Sequence, residues 1–270
     1  MPALEPYLIE PIWQQFEALL PEREIDHPLG CHRPRIPDRV VFEKLVAVLV
    51  FGCAYWRIAD QRCSATTMRR RRDEWVEAGL MDALEQIALE SYDRMIGLEL
   101  FDVSVEGCIT KAPCGGDKSG RSPVDRGKRG VKRSTMVDAN GIPLAVVAAG
   151  AERHDSPLLA PTLEAAATKA IGLPEQASVH LDRAYDSRKT RRLLEERGLV
   201  GVIAKKGGPA PLVAGLRWVV ERTNSWHNAH KKLLWCTERE GRIIDFWIAL
   251  SNVVIVVRRL IREDRPSRKP

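Results

Sequence analysis

Three acidic residues, widely separated in a 270-residue chain, have settings that could serve phosphodiester chemistry. Glu106 ends the strictly alternating run Phe101-Asp102-Val103-Ser104-Val105-Glu106-Gly107, which puts Phe101, Val103 and Val105 on one strand face and Asp102, Ser104 and Glu106 on the other. Asp182 follows a second alternating run, Val179-His180-Leu181, and Glu221 sits in a helical segment with Arg217 one turn before it and Ser225 one turn after. If the two strands are neighbours and the helix packs across their ends, the three carboxylates converge. Such a set suits two hard divalent cations, because Mg²⁺ takes a few carboxylate oxygens and leaves room for water and phosphate. Two ions about 4 Å apart can activate an attacking oxygen and stabilise a leaving one. Spacing alone fits surface acids paired to neighbouring arginines equally well.

Other chemistries find weaker support. Gly115 and Gly120 followed by Arg121-Ser122 approximate a phosphate-binding P-loop, with Arg in place of Lys. A P-loop must lead straight into a helix, whereas Pro123-Val124-Asp125-Arg126-Gly127 continues the loop, so no nucleotide cofactor is expected. Ser104 lacks the glycines of a nucleophile elbow, and the six histidines are scattered, so a hydrolase triad is not indicated. His154-Asp155-Ser156-Pro157 reads as a turn and helix cap. The six cysteines form no C-x-x-C pair, and Cys31-His32 with His27 is at most a fragment of a zinc site. Reduced thiols in a cytoplasmic protein are expected.

The charge is informative once located. Lys and Arg number 42 against 36 Asp and Glu, a net charge of +6. Residues 1–98 carry 12 basic and 16 acidic side chains, leaving 30 and 20 for residues 99–270. The excess lies in two stretches, Lys111–Arg133 with eight basic and two acidic residues, and Arg258–Pro270 with six and two. Polyphosphate partners need such clusters; a solvated loop and tail would look the same. No basic segment precedes an early apolar run, so no secretory signal is read. The most apolar stretches, Leu45–Trp56 and Phe246–Val257, run about 12 residues, short of a membrane span.

Positioning these groups requires two kinds of texture. Residues 8–98 read as helical: Ile12, Phe16, Leu19 and Leu20 recur at helical spacing, and Val40–Phe51 continues it after a linker, His27–Pro37. Beyond a turn at Gly52–Asp60, Ser64 caps a helix that runs to Gly79, with Ala65, Met68, Trp75 and Val76 on its apolar face. A helix, a short turn and a basic helix make a helix-turn-helix layout, in which Thr66, Thr67, Arg69, Arg70, Arg71 and Arg72 are candidate DNA contacts. Four consecutive arginines cannot share one face, and a charged surface helix is the alternative. From residue 99, strands at Phe101–Gly107, Val131–Val137, Pro143–Ala149, Ser178–Leu181 and Val200–Ala204 alternate with helices at Leu158–Ala170, Arg188–Arg197, Leu216–Trp235 and Arg242–Ile261. Asn140-Gly141 marks a hairpin.

Several stretches together resemble bacterial insertion-sequence transposases of the DDE type, in the insertion-sequence-five family. They are Gly52–Asp60, Asp102–Arg133 with Lys111-Ala112-Pro113-Cys114-Gly115-Gly116 inside it, Arg153–Leu159, Leu181-Asp182-Arg183-Ala184-Tyr185-Asp186-Ser187, and Arg217-Trp218-Val219-Val220-Glu221-Arg222-Thr223-Asn224-Ser225-Trp226. The resemblance implies an α/β ribonuclease-H-like catalytic domain (99–265) preceded by an all-α helix-turn-helix-like DNA-binding region (1–98), with a basic tail at 266–270. It implies Asp182 and Glu221 as the second and third metal-binding acids. Glu106-Gly107 stands where the family has Asp-Gly, so Glu106 takes the place of the first acid with a carboxylate one methylene further out. Asn228 stands where many relatives have Lys, and Ala214 where a Tyr often precedes Arg217; Lys231 or Lys232 is then the substitute phosphate contact. Lys111, Lys118, Arg121, Lys128, Arg129, Lys132 and Arg133, with Arg217 and Arg222, would hold DNA backbone. The implied activity is cleavage of 3′ strands at terminal inverted repeats and their transfer to target DNA, with two Mg²⁺, or Mn²⁺ as substitute. Double-stranded DNA and a second copy of the chain are the implied partners. A weakened relative that only binds repeats and represses is the alternative raised by Glu106.

Overall fold

The computed structural model describes residues 3–22, 35–169, 172–204 and 216–264. Expectations placed on His27, Cys31, His32, Ala214 and the 266–270 tail lie outside the described residues. Five helices come first: α1 (Pro6–Leu19), α2 (Asp38–Phe51), the single turn α3 (Tyr55–Ile58), α4 (Ala65–Glu77) and α5 (Leu80–Met95). The helical spacing of Leu8, Ile12, Trp13 and Phe16 gives α1 one buried face. Phe16 stacks on Phe42 of α2 with ring centroids 4.9 Å apart and meets Trp75 of α4 edge-on at 4.7 Å. Ser64 caps α4 as expected, accepting from the Thr67 backbone N–H at 3.1 Å. The segment Gly52–Asp60, read as a turn, holds α3 instead. Gly52 closes α2 with φ +64°, and a Cβ there would strike the backbone of Lys231.

Among the described residues six strands form one sheet: β1 (Asp102–Lys111), β2 (Gly120–Arg121), β3 (Arg129–Val137), β4 (Pro143–Gly150), β5 (Ser178–Leu181) and β6 (Val200–Ile203). The order is β2-β3-β1-β5-β6, with β4 also on β3. Pairs β1–β3, β2–β3 and β3–β4 are antiparallel, and β1–β5 and β5–β6 are parallel. The β3–β4 turn carries Gly141 at φ +82°, and the Asp138 side chain accepts from the backbone N–H groups of Asn140 (3.0 Å) and Ile142 (2.7 Å). Helices α6 (Ser156–Thr168), α7 (Arg188–Glu196), α8 (Arg217–Ala229), α9 (Lys231–Leu234) and α10 (Gly241–Asp264) are the remaining described helices. The helix expected over Leu216–Trp235 is broken at His230, a buried residue with ψ 97° whose Nδ1 lies 2.7 Å from Ser251 Oγ of α10.

Opposite faces of β3 are covered by different helices. Ser134 meets Thr162 of α6, whereas Thr135 meets Asn224 of α8. Every residue from Gly130 to Val137 is therefore buried, and the strand begins two residues earlier than the sequence suggested. Helices give way to strands between α5 and β1, near the 98/99 boundary read from the sequence. The apolar core does not divide there: one buried cluster runs from Leu4 through Leu89, Val105 and Leu144 to Val256.

Candidate active site

Parallel pairing of β1 with β5 sets Val105 opposite Leu181, so Glu106, midway along β1, and Asp182, just past the end of β5, stand at the same level. Helix α8 packs across β1 and β3. Ser104 Oγ donates to the Leu216 carbonyl (3.1 Å), Thr135 Oγ1 to Asn224 Oδ1 (3.0 Å), and Arg133 Nη2 to Asn228 Oδ1 (2.6 Å). Glu106 pairs with Thr135 across the sheet, and Asn224 lies one turn beyond Glu221. Glu221, exposed on α8, is near enough for its charge to act on Glu106. Arg217 Nη2 stands between the first two acids, 3.6 Å from Glu106 Oε1 and 3.8 Å from Asp182 Oδ2.

The electrostatics carry the mark of this convergence. Burial raises the Glu106 pKa from 4.5 to about 7; the charges of Glu221 and Asp182 push the same way, and Arg217 opposes them. Glu106 Oε2 is buried without a hydrogen-bond partner in the described structure. Asp182 Oδ1 accepts from the Ala184 backbone N–H. No three His, Cys, Asp or Glu side chains among the described residues are grouped closely enough to hold one ion. The chemistry of the set nevertheless fits a hard cation: its donors are carboxylate oxygens, one is unsatisfied, and negative charge is in surplus.

Three neighbours were not singled out by the sequence as part of this site. The buried Tyr185 hydroxyl has its pKa raised by burial and by the charges of Asp155, Glu106 and Asp182. Asp155 stands at the N-cap position of α6, matching the expected turn, but its carboxylate goes to Lys132 at 2.9 Å. A Cβ at Gly107 would collide with that carboxylate, which explains the glycine after Glu106. His180 Nε2 lies 2.8 Å from Asp102 Oδ1 on the adjoining strand. The residue types after Asp182 and before Ser156 were visible, but nothing in their spacing told that two loops meet here.

The candidate DNA contacts divide into two groups. Thr66, Arg69, Arg70, Lys111, Arg121, Lys128, Arg129 and Lys231 are exposed, and Thr67 and Arg217 are half-buried. Arg69 leans over the Tyr55 ring at 4.9 Å and Lys111 lies 5.3 Å from the Trp235 ring. Seven candidates for DNA contact are instead committed to the protein, among them Lys232, buried against Glu238 at 2.6 Å. Arg71 is buried against Asp38 and Glu74, and Arg72 against Asp73, Tyr55 and Glu238, because both share the inner face of α4 with Met68 and Trp75. Lys118 binds Asp245 at 2.5 Å. Lys132 and Arg133 are buried on β3, the latter with Asn228 and Cys108. Arg222 is held between the rings of Trp218 (4.6 Å) and Trp226 (4.9 Å) and donates to the Asn140 carbonyl. The P-loop-like segment passes from β2 into a turn at residues 123–127. Cys53, Cys63, Cys108, Cys114 and Cys236 are free, and no described helix is long and apolar enough to cross a membrane.

Comparison with known proteins extends over both parts of the chain. The family described as "Putative transposase of IS4/5 family" matches residues 8–85, and that described as "Transposase DDE domain" matches residues 109–256, which include Asp182 and Glu221 and begin just past Glu106. A "Putative transposase for insertion sequence element IS402" from Burkholderia cepacia is 35% identical over 156 residues, covering 56% of this chain and 74% of that protein. The solved Mos1 strand transfer complex is 12% identical, covering 96% of this chain and 87% of that one, with a TM-score of 0.34. The Mos1 mariner paired end complex with Mn is 13% identical, covering 94% and 84%, also at 0.34. Such scores do not decide the fold. The DDE match and the sheet order described above fit an α/β ribonuclease-H-like fold behind an N-terminal helical region. On these matches the chain belongs to the DDE transposases of insertion sequences, in the IS4/5 group.

Proposed function

We propose that this chain binds the terminal inverted repeats of its element, cuts the 3′ strands and transfers them to target DNA. The observation that carries the reading is the convergence of Glu106, Asp182 and Glu221 from β1, the end of β5 and α8, with an arginine between two of them. Glu106, Asp182 and Glu221 would hold two Mg²⁺ or Mn²⁺, which supply activation of the attacking oxygen and stabilisation of the leaving one. Water attacks first, and the freed 3′ hydroxyl then attacks the target, with no covalent bond to the protein. Arg217, which faces the acids from the first turn of α8, would hold the phosphate under attack. Lys111, Arg121, Lys128, Arg129 and Lys231 would follow the DNA backbone. Turn and helix at Ala59–Glu77 would enter the major groove as a helix-turn-helix, with Thr66, Thr67, Arg69 and Arg70 as its contacts. Residues 1–98 would read DNA and 99–265 cut and join it, in a cytoplasmic homodimer that pairs two element ends.

Cleavage of a duplex carrying the element's flanking repeats, with and without Mn²⁺, tests this reading. Asp182→Ala and Glu221→Ala should abolish cleavage while leaving repeat binding intact; wild-type cleavage no faster than that of Asp182→Ala would refute it. The substitution of Glu for Asp at position 106 favours a second reading, a repeat-binding repressor with weakened cleavage. Carboxylate position must hold to within about half an ångström in such a site. A large gain in rate from Glu106→Asp would support the repressor.

A further inference from the structure

Arg217 is an odd residue for the place it occupies. It is the first residue of α8, where the helix dipole disfavours a cation, and its N-cap, Leu216, supplies no side-chain bond. The acids, not the helix, account for it. One nitrogen, Nη2, serves Glu106 Oε1 and Asp182 Oδ2 together, at 3.6 and 3.8 Å, both beyond hydrogen-bond length. That is attraction without the paired, forked geometry that would lock a guanidinium to one carboxylate. The backbone beneath is fixed separately, through the bond from Ser104 Oγ to the Leu216 carbonyl. A long side chain on a pinned backbone can therefore leave the acids without disturbing α8.

We propose that Arg217 is the displaceable counter-ion of the acid cluster: a divalent cation taking up Glu106 and Asp182 expels the guanidinium, which becomes available to a DNA phosphate. The inference rests on the assignment of Glu106, Asp182 and Glu221 to metal binding made above. It follows that metal and Arg217 compete for the same two carboxylates. The extra methylene of Glu106, awkward for a fixed ligand, gives its carboxylate the reach to follow either cation.

The test is Mn²⁺ binding to the full chain without DNA, measured by calorimetry at about pH 8.5, where ionised carboxylates prevail. Arg217→Gln removes the competitor and should tighten Mn²⁺ binding about tenfold, and Arg217→Lys, which keeps the charge, should stay within about threefold of wild type. Asp182→Ala is the control and should lose binding. Mn²⁺ affinity that is unchanged or weaker in Arg217→Gln, with binding lost in Asp182→Ala, overturns the competition while leaving the metal assignment standing. Binding that survives unchanged in Asp182→Ala removes the assignment itself and the proposal with it.

Discussion

Replacing Glu106 by Gln removes a charge that burial disfavours while keeping the shape of the side chain. The carboxyl titrates at 4.5 when unperturbed and at about 7 in the folded protein, with burial as the first cause and Glu221 and Asp182 behind it. Between those values the folded state binds more protons than the unfolded one, so stability falls as pH rises through the window and stays low above it. Each pH unit inside the window costs about 1.4 kcal/mol. From about pH 5 to about pH 8.5, Glu106 thus removes roughly 2–3 kcal/mol that Gln would not. Urea denaturation of both proteins in EDTA at the two pH values isolates this difference, because the remaining groups titrate in both chains. The variant should gain about 2–3 kcal/mol on the wild type at the higher pH. A gap constant to within about 0.5 kcal/mol would refute the argument that burial and neighbouring acids outweigh Arg217 at this position.

Arg71→Ala strips Asp38 and Glu74 of a buried partner and should cost about 1–3 kcal/mol in urea denaturation. Arg69→Ala with Arg70→Ala should leave stability within about 0.5 kcal/mol. The same pair should flatten the salt dependence of repeat binding by about one to two units of slope, read by fluorescence anisotropy. Thr135→Val leaves Asn224 Oδ1 buried without its donor, a cost of about 1–3 kcal/mol. Cleavage should fall more than repeat binding, and Thr135→Ser should restore both. Gly107→Ala forces a Cβ into the Asp155 carboxylate and should lower stability by about 1–3 kcal/mol in thermal melting, with the Lys132–Asp155 pair disturbed.

Local pattern revealed β5 and the β3–β4 hairpin, because Val179-His180-Leu181 alternates and Asn140-Gly141 dictates a turn, but it ended β1 four residues early and missed the two-residue β2. It also pointed to Glu106, Asp182 and Glu221, although Glu106, read as the end of its strand, lies midway along β1, which runs on to Lys111. Arg71 and Arg72 were misplaced although the signal existed: they lie three and four residues after Met68 and before Trp75, on the apolar face. Their charge hid that spacing, and Asp38, Glu74 and Glu238, which neutralise them, come from other elements. Lys132 and Arg133 were misplaced for a different reason. Only the folded sheet shows that β3 is central and covered by α6 and α8, so that both faces of a basic strand are interior. Asp155 and Tyr185 join the acids through loops distant in sequence, which no periodicity encodes.

The undivided core has a consequence for where the DNA would be cut. Helix α10, with 24 residues, is about 36 Å long, close to one turn of duplex. It packs against α1, α4 and α5 of the helical region and against β4 and α8 of the sheet region. On the proposed reading, the reading helix and the acids stand like two jaws on one shared core of the described residues. The count of base pairs between recognised sequence and scissile bond is then a property of the protein's shape, and an element whose repeat gains or loses a pair there presents the wrong phosphate to the acids.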